Sequence, residues 1–202
     1  MPRHLFLCNT FFVKRFFFCV FIPFFATSVA AAPFYRTFVP DGKGGIEITG
    51  DWLQLLIPLS GLVYSAAIGD YQGSWQVTKT YVYAAGTTDI LKKLVGAPRP
   101  YQSRSARGDS FPSGHTTHAF SGATFWQRRY GWEIGAPMYV AAAFTGYSRI
   151  HANAHYWRDV AAGAAIGIGF GYLMTTSYIP PDTQISVLPM NGGAMLRFST
   201  GF

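Results

Sequence analysis

SRIHANAHYWRD, residues 148–159, sits between two apolar runs, AAAFTGY at 141–147 and VAAGAAIGIGFGYLM at 160–174. The chain is only 12% charged and holds five histidines, yet this short break carries two of the histidines, two arginines and a carboxylate. Apolar segments of helical length on both sides predict a helix over 134–147 and another over 155–178. A helix ending in water accounts for the arginines but not for the spacing of His155 and Asp159. Four apart on a helix, those two side chains share a face. The carboxylate can then accept from one ring nitrogen, fix the tautomer and leave the other nitrogen to attack an electrophile.

Three further apolar segments, 52–69, 74–95 and 115–126, also have helical lengths, so the expected fold class is all-α, a helical bundle. The glycine-rich stretch 35–50 reads as loop. After Pro180 and Pro181 the pattern changes: QISVLPM at 184–190 and AMLRFSTGF at 194–202 flank Asn191–Gly192–Gly193, and apolar residues alternate in the second run. That predicts a short C-terminal β-hairpin.

Residues 1–31 have a basic start ending at Lys14 and Arg15, an apolar core over 16–25 and then small residues, the layout of a cleaved secretory signal peptide. The expected organisation is therefore a leader at 1–31, one helical domain at 32–180 and a hairpin tail at 181–202 packed on that domain. Both cysteines, Cys8 and Cys19, fall in the leader, which excludes thiol nucleophiles, zinc–thiolate sites and disulfides from the mature chain. Losing the leader's Arg3, Lys14 and Arg15 and no acids lowers the net charge from +7 to +4. Lys92, Lys93, Arg99, Arg104 and Arg107 crowd into one stretch and call for an anionic partner. Export and the lack of any binding motif argue against nucleic acid.

Two more stretches carry chemistry. In KKLVGAPRP, 92–100, Pro98 and Pro100 prevent the helix from continuing and hold Arg99 on a stiff turn, with Lys92 left at a helix end. Two cations so presented can grip one oxyanion, although a lysine there also complements the helix dipole. In SFPSGHTTHAF, 110–120, Ser113 and Gly114 precede an apolar helical pattern, where a serine caps and unpaired amides face an anion. His115 stands at that terminus and can exchange a proton near neutral pH. His118 is read as a packing or surface histidine. His151 and His155 are also four apart, but Ala152–Asn153–Ala154 between them is not the glutamate-bearing spacer of zinc hydrolases, so no metal site is expected.

Lys92-x6-Arg99-Pro100, Pro112-Ser113-Gly114-His115 and Ser148-Arg149-x5-His155-x3-Asp159 together resemble the tripartite signature of the type 2 phosphatidic acid phosphatase superfamily. That superfamily includes bacterial class A acid phosphatases, lipid phosphate phosphatases and vanadium haloperoxidases. The resemblance covers residues 92–159 and implies a bundle of the acid phosphatase and haloperoxidase type. It implies a phosphatase needing no metal or other cofactor, with His155 as nucleophile oriented by Asp159 and His115 as acid and base. Lys92, Arg99, Ser113, Gly114 and Arg149 would bind the phosphate.

A lipid-linked phosphate monoester or pyrophosphate is the expected substrate, with a small soluble phosphomonoester as the alternative. A vanadium-dependent haloperoxidase and a non-catalytic phosphate binder are the rival classes. The uncharged segments 52–69 and 160–178 are about 27–28 Å long as helices, near the roughly 30 Å bilayer core, and Arg128 and Arg129 lie in the turn opposite the catalytic ends. Against insertion stand the short 115–126 segment and Lys79 and Asp89 in the helix before the first motif. The expectation is an exported enzyme, periplasmic or on the periplasmic face of the inner membrane, with a membrane surface as a further partner.

Overall fold

A computed structural model describes residues 44–100 and 109–180, and the backbone of 183–190 and 193–200. The leader with Cys8 and Cys19, the bases Arg104 and Arg107, and the turn residues Asn191 and Gly192 lie outside the described residues.

Five helices follow in order: α1 Gly45–Ala67, α2 Tyr71–Val95, α3 Gly114–Tyr130, α4 Trp132–His151 and α5 Trp157–Met174. The fold is an all-α five-helix bundle. α3 is its axis, packed by each of the other four, whereas α4 and α5 barely meet. Phe125, Trp126, Ala119 and Ala123 of α3 are fully buried, and Leu53, Ile57 and Tyr64 of α1 repeat at helical spacing toward them.

Small residues set how close these helices come. Gly163, Gly167 and Gly171 form a stripe on α5, where added Cβ atoms would stand 2.5 Å from Ser113 O, 2.6 Å from Thr117 O and 2.4 Å from Thr124 Cβ. α5 therefore rests on the backbone of α3. Gly50 does the same between α1 and α4, its Cβ position falling on Ser148. The glycines of 44–50 were expected to make a loop; here a glycine serves close packing, and α1 begins at Gly45.

Four boundaries have local causes. Asp70 caps α2 by accepting from Gly73 N at 2.9 Å, and Gly96, at φ 57°, closes it in the left-handed conformation that glycine tolerates. α3 runs on to Tyr130 rather than stopping near 126, because the charge at its end is neutralised inside the protein. Arg129 is buried and pairs with Asp70 through Nη2 at 2.5 Å and Nε at 2.8 Å, while its Nη1 donates to the Thr176 and Ser177 carbonyls. Arg129 is thus not the solvent-facing turn cation read from the sequence. Finally, α5 starts at Trp157, so His155 is not on the helix but on the turn before its cap, Tyr156.

In the tail, β1 Thr183–Met190 pairs antiparallel with β2 Gly193–Thr200, Thr183 opposite Thr200 and Met190 opposite Gly193. Helices and strands fall in two compact units.

Candidate active site

Because the helices alternate in direction, one end of the bundle gathers the start of α1, the end of α2, the start of α3, the end of α4 and the start of α5. Lys92, Arg99, Ser113, Gly114, His115, Arg149, His155 and Asp159 all lie at that end. They form two groups.

The first group surrounds His155. Arg99 Nη1 donates to Ala154 O at 3.2 Å, next to the histidine, and Arg99 Nε donates to Asp109 Oδ1 at 2.9 Å. Lys92 Nζ donates to Asp109 O at 2.6 Å. Burial lowers the pKa of Lys92, and the positive charge of Arg99 adds to this against Asp109, Asp89 and Asp159. His155 is pushed down to about 4, first by burial, then by Arg99 and Lys92, with Asp159 opposing. Its ring is therefore neutral over the physiological range.

Asp159 is fully buried at the third position of α5. Its Oδ2 accepts from Tyr156 N at 2.9 Å, which closes the helix start, and from Ser110 Oγ at 2.5 Å. His155 Nδ1 stands 3.6 Å from the same oxygen, and both Nδ1 and Asp159 Oδ1 are buried without a hydrogen-bond partner. The two residues face each other as their spacing suggested, but through the helix-capping turn rather than one above the other on a helix. At 3.6 Å the contact is longer than a hydrogen bond.

The second group centres on His115. Its Nε2 is 3.1 Å from Asp51 Oδ1, and the same oxygen accepts from Arg149 Nη1 at 2.7 Å. Arg149 is 3% exposed; its Nε donates to Ser148 Oγ at 3.0 Å and its Nη2 to Glu47 O at 2.7 Å. This guanidinium is thus engaged with α1, while its backbone carbonyl accepts from Ala154 N and His155 N and so anchors the turn of the first group. Ser113 links the groups, its N donating to Asp159 O at 3.0 Å. Ser113 occupies the cap position of α3 but its side chain makes no cap bond, accepting instead from Thr116 Oγ1 at 3.0 Å. The capping role read from the sequence is corrected on that point. Gly114 lies against Lys92, 3.9 Å from its Cε to the Cβ position.

His118 packs on the Tyr81 ring at 4.7 Å and its Nδ1 is 3.4 Å from Gln54 Oε1; burial pushes it down to about 4. Among the described residues no three His, Cys, Asp or Glu side chains gather as metal ligands would. Asp51, Asp109 and Ser110 were missed. Asp109 follows a run of bases and Ser110 directly precedes the FPSGH stretch; Asp51 had no signal beyond being a lone acid at the start of an apolar segment.

The sequence pattern of the PAP2 superfamily matches residues 75–180. The lipid A 4'-phosphatase of Helicobacter pylori is 35% identical over 152 residues, covering 70% of this chain and 75% of that protein. The lipid A 1-phosphatase of Porphyromonas gingivalis is 36% identical over 144 residues, but the match covers only 31% of its length. The undecaprenyl-diphosphatase BcrC of Bacillus subtilis is 31% identical over 119 residues, half of this chain. The crystal structure of LpxE from Aquifex aeolicus aligns with a TM-score of 0.50 at 23% identity, over 71% of this chain and 93% of that one, a likeness of fold.

Proposed function

The chain belongs to the PAP2 superfamily, and from that premise we propose that it is a phosphatase hydrolysing a lipid-linked phosphate through a phosphohistidine at His155. The observation carrying this reading is the environment of His155, a buried ring kept neutral beside two cations and a carboxylate. With Asp159 on the Nδ1 side, Nε2 attacks phosphorus; the N–P bond forms as the ester P–O bond breaks. His115 gives the leaving oxygen a proton. It then takes one from water, whose oxygen attacks phosphorus as the N–P bond breaks. Lys92, Arg99 and Arg149, with Ser113 and Gly114, stabilise the equatorial oxygens, so fixed cations do the neutralising.

A lipid-linked substrate is favoured by the relatives, two of which are named for lipid A and one for undecaprenyl diphosphate. The rim of the site supports it. Trp52 adjoins Asp51, Leu94 and Val95 adjoin Lys92, and Tyr156 and Trp157 adjoin His155, all exposed. Arg158 lies over the Tyr156 ring at 4.9 Å. Aromatic and cationic side chains around a catalytic mouth suit the polar–apolar boundary of a membrane surface. Among the described residues no helix is long and apolar enough to cross a membrane. The proposal is an exported enzyme, its mature domain beginning at about residue 32, resting by this rim on the periplasmic face.

The test is phosphate release from lipid A, an isoprenyl diphosphate, phosphatidic acid and p-nitrophenyl phosphate, with and without chelator. Turnover should survive the chelator, vanish in His155→Ala and fall roughly 10²–10⁴-fold in His115→Ala. Normal turnover in His155→Ala would overturn the reading, and halide oxidation on adding vanadate would favour the haloperoxidase.

A further inference from the structure

The site holds a second carboxylate–histidine pair. Asp159 faces His155, and Asp51, from the first helix, faces His115. The Asp51–His115 contact, at 3.1 Å, joins side chains that are 25% and 33% exposed, and the same Asp51 oxygen holds Arg149. A carboxylate accepting from an imidazole nitrogen requires that nitrogen to carry the proton. We infer that Asp51 is a positioning residue for the leaving-group step: it keeps a proton on His115 Nε2, directs proton exchange to Nδ1, and ties the ring to Arg149. This rests on the reading of His115 as the acid.

The protons balance on that assignment. In the first step the imidazolium passes its Nδ1 proton to the departing oxygen as the P–O bond breaks and the bond to His155 forms. The neutral ring keeps its proton on Nε2, donated in a hydrogen bond to Asp51, and Nδ1 now has a lone pair. That lone pair takes the proton of the water that attacks phosphorus as the N–P bond breaks. Asp51 stays charged throughout, as the aspartate of a triad does. An asparagine there can turn its amide N–H toward Nε2 and trap the ring in the wrong tautomer.

Among the described residues, the titratable groups around His115 include Asp51 from α1, His118 one turn along α3, Arg149 from α4 through the shared Asp51 oxygen, and His155 before α5, with Lys92 from α2 against the neighbouring Gly114. Among the described residues Asp51 is an anion at hydrogen-bond distance from the ring, and a nearby anion favours the charged imidazole.

The experiment compares kcat/KM for Asp51→Asn and Asp51→Glu, in the full chain, on two esters. Phosphatidic acid has a poor alkoxide leaving group that needs a proton; p-nitrophenyl phosphate has a good one that hardly does. Asp51→Asn should lose roughly ten- to a hundredfold on phosphatidic acid, within the span of an acid–base group, and only a few-fold on p-nitrophenyl phosphate. The basic limb of its phosphatidic acid profile should move to lower pH, and Asp51→Glu should recover part of the loss. Equal losses on both esters would overturn the inference, because they would assign Asp51 to Arg149 and phosphate binding alone. No loss, with His155→Ala inactive alongside, would overturn it while leaving the phosphatase reading intact. Normal turnover in His155→Ala would overturn both.

Discussion

The attack on phosphorus proposed for His155 needs its lone pair near neutral pH, and burial beside Arg99 and Lys92 supplies that by disfavouring the imidazolium. The same shift has a cost in acid. His155 and His118 both titrate at about 4 when folded, against 6.5 for an ordinary histidine. Well above pH 6.5 they are neutral folded or unfolded and contribute nothing. As pH falls from 6.5 toward 4 the unfolded chain binds protons that the folded one refuses, so stability drops through that window. Urea midpoints measured between pH 7 and pH 4.5 should decline, and His118→Gln should flatten the decline. At this scale the pairing of His155 with Asp159 was legible, because both lie in one short stretch. Asp51 was not, since its partner Arg149 is 98 positions away and only the packing of α1 on α4 brings them together.

Among the elements, α5 depends on its glycine stripe. A Cβ at Gly163 would stand 2.5 Å from Ser113 O, and Ser113 N is in turn bonded to Asp159 O. Gly163→Ala should therefore cost about 1–3 kcal/mol by overpacking and lower kcat by displacing the start of α3 from Asp159. Gly169, on the same helix, has nothing within 4 Å of its Cβ position. Gly169→Ala should be neutral or stabilising by about 0.5–1 kcal/mol, from the backbone entropy glycine loses in a helix, with activity unchanged. Thermal unfolding and turnover of the pair check this. The number and order of helices could be read from apolar segment lengths. Their starts were harder, because the signals are ambiguous. Glycine at 44–50 reads as loop when it also permits close packing, and a histidine four before an aspartate reads as helix when it also fits the turn entering one. The end of α3 was missed because a buried Arg129 looks, in sequence, like a surface one.

For the described helices, alternating directions put the His155 and His115 groups at one end and the buried Asp70–Arg129 pair at the other. That the signature residues, spread over three segments, gather at one end could be read in sequence, but their partners could not. Lys92 and Arg99 meet at Asp109, and Arg149 and His115 meet at Asp51. The central claim is that phosphorus passes through His155. The measurement that tests it most directly is rapid acid-free quenching of the enzyme with radiolabelled p-nitrophenyl phosphate, followed by location of the label. The account predicts an alkali-stable, acid-labile label on His155, accumulating in His115→Ala and missing from His155→Ala. Label on another residue, or turnover by the wild type with no bound label at any time, would contradict it.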